Sequence, residues 1–207
     1  AKALDILNKG VTSLGFKISK TILSAETLET LFKGIDLTAV EINLSTCISR
    51  TVELAELFVA YVQKHKVNGA AVRGAIEYNP FKMELMKGMV NAQRYDILEQ
   101  LYNIAKPIPQ MRLYIVEASM LSNAGAGIVK ELAYALAWGA EVLDQMVARG
   151  HDVEEIARRI KFHFGISSNY FLEMAKFRAA RWLWAEIIGA HGDQYKGDAA
   201  KIYQHAT

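Results

Sequence analysis

Groups that could transfer protons, bind metals or attack electrophiles are scattered in this chain. The five histidines, His65, His151, His163, His191 and His205, form no i, i+4 pair and no Cys/His spacing of the kind that holds zinc. His163 alternates with Phe162 and Phe164 and reads as a structural histidine. Cys47, the single cysteine, has no histidine near it in sequence, so it reads as a small half-buried residue and not a nucleophile. Gly125-Ala126-Gly127, ahead of a helical pattern, could cradle a phosphate at a helix N-terminus. A lone Gly-x-Gly is a weak signal, however, and close helix packing is the expectation. Arg178 and Arg181 are candidates for an anion contact, with solvated or partner-facing charge as the equal alternative. Phe171, Trp182 and Trp184 are expected to pack and not to form a cofactor box.

The elements that must position these groups alternate between short apolar runs and longer helical patterns. Residues 14–19, 40–45, 70–76, 111–117, 160–166 and 201–207 read as strands, the last as one that only begins. Between them, Leu28, Leu31 and Phe32 mark one helix, and Leu54, Leu57, Phe58 and Val62 mark another over 51–65. Two short helices fill 81–104, with Pro107 and Pro109 behind them. A long helix runs over 125–149 with Gly150 as its stop. Asp152-Val-Glu-Glu has the pattern of a capping box, and a last helix covers 168–189.

Such alternation implies a parallel sheet with right-handed crossovers. An open doubly wound sheet would be complete at 207 residues, and a (β/α)8 TIM barrel would not. The expected fold class is therefore α/β, a fragment of a TIM barrel with about five or six of the eight strands visible. At 52% apolar the chain can bury a sizeable core. No internal repeat or low-complexity linker divides it. A net charge of +2, without a basic block, makes nucleic acid and anionic membrane unsuitable partners. The most apolar stretch, 128–147, is broken by Lys130, Glu131, Glu141 and Asp144, so a buried helix is expected there and not a membrane span. A single cysteine and the lack of a signal pattern fit a cytoplasmic protein.

Barrel enzymes take their reactive groups from the C-terminal ends of strands. Those positions read Ser19 and Lys20; Ser45, Thr46 and Cys47; Glu77, Tyr78 and Asn79; Ser119, Met120, Ser122 and Asn123; and Ser167, Ser168 and Asn169. Glu77 is the one carboxylate and no histidine is among them, so paired acid–base work lacks a partner.

Two segments carry a resemblance. Gly125-Ala-Gly-Ile-Val-Lys-Glu-Leu-Ala-Tyr-Ala-Leu-Ala-Trp-Gly-Ala-Glu141 and Phe164-Gly-Ile-Ser-Ser-Asn-Tyr-Phe-Leu-Glu-Met-Ala-Lys-Phe-Arg-Ala-Ala-Arg-Trp-Leu-Trp-Ala185 resemble the adenosylcobalamin-dependent acyl-CoA mutases, methylmalonyl-CoA mutases in particular. Looser similarity, including Gly74-Ala-Ile-Glu and Asn79, extends over essentially the whole chain. The resemblance implies that residues 1–207 are the middle of that family's substrate barrel, without a cobalamin-binding domain.

The departures fall at strand ends. Catalytic members carry Gly-Tyr-His-Met-Gln-Glu-Ala-Gly after the fourth strand, with the tyrosine and histidine over corrin and substrate. The matching stretch here is Ala118-Ser-Met-Leu-Ser-Asn-Ala-Gly125, so Ser119, Met120 and Asn123 stand at the tyrosine, histidine and glutamate positions. After the third strand a family threonine and glutamine become Ala75 and Glu77. At the sixth, His-Cys-Gln-Thr-Ser becomes Gln204-His-Ala-Thr, with Ala206 at the glutamine. Arg178 is retained, and its counterpart in active subunits lies near the CoA-bearing end, which makes it a candidate substrate-binding residue.

This pattern is similar to that of the small subunits of the heterodimeric mutases, which keep the barrel but neither turn over substrate nor hold cobalamin. It implies a heterodimer with a large catalytic subunit that binds adenosylcobalamin and interconverts methylmalonyl-CoA and succinyl-CoA, with no cofactor on this chain. The rival expectation is an active mutase for a different acyl-CoA, its pocket reshaped by Ser119 and Met120. A third is an unrelated phosphate-binding barrel using Gly125 and Gly127.

Overall fold

A computed structural model describes residues 2–197 and 200–207. In chain order the elements begin α1 (Lys2–Asn8), β1 (Ser13–Lys17), α2 (Ala25–Phe32), β2 (Glu41–Ser45), α3 (Thr51–Lys64) and β3 (Gly74–Tyr78). They continue through α4 (Lys82–Lys87), α5 (Arg94–Ile104), β4 (Met111–Glu117), α6 (Ser119–Asn123) and α7 (Ile128–Ala148). The last are α8 (Val153–Arg158), β5 (Ile160–Phe164), α9 (Tyr170–Gly189) and β6 (Gln204–Ala206). The order is the alternating α/β order expected from the sequence.

Two compact units share these elements. The first runs up to Tyr78 and takes in Asp96–Leu113. In it β1, β2 and β3 are parallel neighbours, with Ser13 opposite Glu41 and Ile42 opposite Gly74. In β2, Ile42 and Leu44 are buried while Glu41, Asn43 and Ser45 are half-buried, the period of two that a strand with one core face requires. The core gathers around Phe32, whose ring meets Phe16, Phe58 and Tyr61 at centroid distances of 5.9, 5.6 and 5.2 Å. Such tilted and edge contacts suit aromatic quadrupoles. The Ser24 hydroxyl caps α2 by accepting from Thr27 N–H.

The third strand starts later than the expected 70–76. Residues 69–71 form a 3-10 turn in which the Asn68 side-chain amide oxygen accepts from Ala70 N–H, and the strand begins at Gly74. Gly74 has φ +140°, and a Cβ there would lie 1.8 Å from the Ile42 carbonyl oxygen. Only glycine permits this entry into pairing with β2.

The second unit comprises Asn79–Tyr95 and Tyr114–Thr207. Its strands β4, β5 and β6 are also parallel, with Val116 opposite Phe162 and Phe162 opposite Gln204. Phe162 and Phe164 turn one way, onto α7 and α9. Phe162 meets Trp184 edge-on at 4.8 Å and Phe164 meets Phe177 at 5.7 Å. A Cβ on Gly139 would fall 2.5 Å from the Phe162 ring, so α7 approaches the strand because that position has no side chain. The Asp152 carboxylate caps α8 by accepting from Glu154 and Glu155 N–H, and Gly150 at φ +91° stops the helix before it. β6 is confined to 204–206, shorter than the expected 201–207.

Three expectations fail in this unit. The stretch after β4 is the short helix α6, and α7 starts at Ile128 and not at Gly125. Gly125 and Gly127 do not serve close packing, because a Cβ on either would meet nothing within 4 Å. Their role is local: Gly125 (φ +87°) turns the chain out of α6, and Gly127 is the extended N-cap of α7. Trp184 is fully buried, but Trp182 and Phe171 are 68% and 80% exposed, so the aromatic cluster divides between the two sides of α9.

Candidate functional site

The strand ends of the second unit hold most of the expected site residues. Ser119 opens α6 and is buried, Met120 is half-buried, and Asn123 ends the helix in solvent. Ala206 closes β6 and is exposed. Glu77 belongs to the first unit, near the end of β3. Arg178 does not join the strand ends, since it is exposed on the side of α9 away from the buried Glu173, Ala180 and Trp184. Of the groups on α6 only the hydroxyls and the Asn123 amide can form strong hydrogen bonds, and the Met120 thioether donates none.

The expectation that no histidine stands at a strand end is corrected. β5 stops at Phe164 and β6 at Ala206, which makes His163 and His205 penultimate residues. They are register partners, their rings 4.8 Å apart and T-shaped. His163 Nε2 lies 2.9 Å from the Thr207 hydroxyl, so it has the partner expected of a structural histidine. Glu117 faces His163 across the β4–β5 register. Its carboxylate accepts from Lys82 Nζ at 3.1 Å and from the Asn79 amide at 3.4 Å, tying the start of α4 to the end of β4. Glu117 in this row is already in an ion pair with Lys82. Register alone would have found it, had the strand limits been known.

The most strongly built polar group was not anticipated. Lys176 on α9 is almost completely buried, and its Nζ donates to Glu131 Oε2 at 2.8 Å and to the Gly165 carbonyl at 2.7 Å. A third contact is Glu173 Oε2 at 2.6 Å, an ion pair too oblique for a hydrogen bond. Glu131 Oε1 accepts from Gly165 N–H at 2.7 Å, and Glu173 Oε1 accepts from Ser167 N–H and its hydroxyl at 3.0 and 2.7 Å. Two carboxylates against one ammonium leave one excess negative charge. The backbone N–H groups of Gly165 and Ser167 stabilise it. Burial would raise the Glu173 carboxyl, but Lys176 and Ser167 outweigh this and hold it below its ordinary value.

This cluster clamps the loop leaving β5 between α7 and α9. A Cβ on Gly165 would sit 2.8 Å from the Ser122 side chain, so α6 presses on the same loop. The signals were present in the sequence. Glu131 is a charge inside an apolar helix, and Glu173 and Lys176 stand at i, i+3 on the side that carries Ala180 and Trp184.

Elsewhere in this unit Tyr95 donates to Glu141 at 2.6 Å; burial, with that carboxylate beside it, pushes its hydroxyl up to about 12. In the first unit the Cys47 thiol is half-buried, as expected, and is lowered mainly by a hydrogen bond with Ser49. Among the described residues no group of three His, Cys, Asp or Glu could hold a metal ion, and no helix is long and apolar enough to cross a membrane.

Comparison with known proteins fits this geometry. A family model described as methylmalonyl-CoA mutase matches residues 11–207. The chain is 52% identical over 206 residues to the methylmalonyl-CoA mutase small subunit of Porphyromonas gingivalis, covering 100% of this chain and 33% of that protein. It is 30% identical to the methylmalonyl-CoA mutase small subunit of Streptomyces virginiae, over 91% of this chain and 30% of the relative. The methylmalonyl-CoA mutase of Cereibacter sphaeroides is likewise 30% identical, over 87% of this chain and 26% of the relative. The chain thus spans between a quarter and a third of the length of these relatives. With the alternating parallel fold and a match over nearly every residue, the chain belongs to the methylmalonyl-CoA mutase family.

Proposed function

We propose that this chain is part of the small, non-catalytic subunit of a methylmalonyl-CoA mutase. In this reading residues 1–207 are a fragment of a (β/α)8 TIM barrel. It supports a larger subunit that interconverts methylmalonyl-CoA and succinyl-CoA in the cytoplasm. The observation that carries it is the contrast after β4. Ser119 and Met120 stand where the resemblance puts a tyrosine and a histidine, while Glu131, Lys176 and Glu173 on the neighbouring helices are joined by hydrogen bonds and ion pairs.

Migration of a thioester-bearing group benefits from a hydrogen-bond donor already aimed at the developing charge. Ser119 is 7% exposed, and Met120 supplies no donor. Adenosylcobalamin supplies radical chemistry when bound. The residues on α6 offer no phenol or imidazole to face it, and His163 is engaged with Thr207, so the cofactor is assigned to the larger subunit. The contribution of this chain is then mechanical, a rigid second barrel against which the active one is held.

The test is reconstitution. The larger subunit is assayed with adenosylcobalamin and methylmalonyl-CoA, alone and with the full-length form of this chain. The expected result is a one-to-one complex and turnover that depends on it. Full activity of the larger subunit alone, with no complex, would overturn the proposal.

A further inference from the structure

Lys176 Nζ stands where a cage would hold a small cation. Oxygens of Glu173, Gly165 and Glu131 lie 2.6, 2.7 and 2.8 Å from it. The rings of Phe164 and Phe177 complete the enclosure, their centroids 5.8 and 5.4 Å away. The side chains of Lys176 and Glu131 are 1% exposed and that of Glu173 is 7% exposed. Glu173 Oε2 is buried and accepts no hydrogen bond, so the charge of Lys176 is what compensates it. Without that charge a buried carboxylate oxygen would have neither donor nor counter-ion and would have to meet water. Such a cluster is closed and dry or open and wet, with little between.

The part free to open is the loop after β5. Residues 166–169 are exposed, and outside the cluster the loop is tied by the Ile166 N–H bond to the Thr207 carbonyl at 2.8 Å. Against the loop lies α6, with Gly165 so near Ser122 that a Cβ would fall 2.8 Å from its side chain. α6 has five residues and buries only Ser119. A helix of that length does not stand without its neighbours. Segments with few buried groups supply the easiest local openings of a fold.

We propose that the Glu131–Lys176–Glu173 cluster is a conformational lock. α6 and residues 165–169 open together and uncover Ser119 at the end of β4, and the charge on Lys176 holds them shut. The inference is independent of the small-subunit reading, because it concerns only this chain's own packing.

The experiment is hydrogen exchange of the full-length chain, read by mass spectrometry. In the wild type at low urea, peptides covering 119–123 and 165–169 are expected to share one opening, easier than that of β4 and β5. Separate openings for the two segments would overturn the proposal, with no variant needed. Lys176→Ala is expected to speed exchange in both segments about 100-fold or more, as loss of one partner of a buried ion pair does. Exchange in β1, β2 and β3 is expected to stay unchanged. Propylammonium chloride, whose ion matches the part of the side chain removed, is expected to slow exchange in the variant again by about tenfold. Tetramethylammonium chloride at the same concentration should not. Equal acceleration through the whole second unit would make the cluster an ordinary core contact and overturn the lock. No recovery with propylammonium would show that the bulk of Lys176, and not its charge, closes the loop.

Discussion

The loop after β5 and the helix after β4 lie against each other and are furnished in opposite ways. Around Gly165 and Ser167, three buried charged side chains make a connected set of hydrogen bonds and ion pairs. On α6, Ser119, Met120 and Asn123 carry no charge. Burying ions is costly and persists only where the partners are complete. The chain therefore keeps an expensive device for holding a loop in place, beside a short helix whose three expected site residues are uncharged. A scaffold maintained without its chemistry would have this form.

The comparison breaks most visibly at Lys176. Lys176→Met leaves Glu131 and Glu173 buried without their cation, and denaturant unfolding of the full-length chain should lose about 3–5 kcal/mol. A loss under about 1 kcal/mol would show the cluster to be hydrated and not structural.

Next come the two tryptophans of α9. Trp184→Ala removes a fully buried ring packed on Phe162 and should cost about 3–5 kcal/mol. Trp182→Ala, in the isolated chain, should stay within about 0.5 kcal/mol. Equal costs would mean that the outer face is covered by the protein itself.

A smaller effect is expected from pH. Glu173 ionises below its ordinary value of 4.5 in the folded chain. Its stabilising share is present above 4.5, where the unfolded chain is also ionised, and is lost as pH falls through the lower folded value. Glu173→Gln should therefore flatten the acid limb of stability between neutral pH and 3, as read by urea midpoints. An acid limb as steep as that of the wild type would assign it to other carboxylates.

The smallest expected effect is none. Ser119→Tyr with Met120→His should not give the chain turnover, because two groups placed without their neighbours leave the site short of the required precision. Measurable turnover would mean that the remainder of an active site is intact.

Much of the fold was legible because strands and helices announce themselves by period. Ile42 and Leu44 alternate with polar residues, and Leu54, Phe58 and Val62 recur at helical spacing. Boundaries were less legible. The turn at Gly69–Ala71 depends on Asn68 and on Pro107, whose carbonyl oxygen would lie 2.2 Å from a Cβ on Gly69, far along the chain. α6 is five residues long, too short for any periodicity to register. The same boundary errors hid the His163–His205 pair, which stands at strand ends only once β5 and β6 are known to stop where they do. The ionic cluster was hidden for another reason. Lys176 and Glu131 are 45 residues apart, and a charge in an apolar run reads equally as an interruption or as half of a buried pair. Trp182 and Trp184 show the reverse: composition put both in the core, and the helical angle separated them.

The most direct measurement uses the assembled complex of full-length chains, with the larger subunit inactivated by substitution in its own active site. Any remaining conversion of methylmalonyl-CoA to succinyl-CoA would belong to the protein described here. The account predicts a rate at the blank, before and after the addition of excess adenosylcobalamin. Sustained turnover above the blank, abolished by His163→Ala or His205→Ala, would contradict it and make the strand-end histidines catalytic.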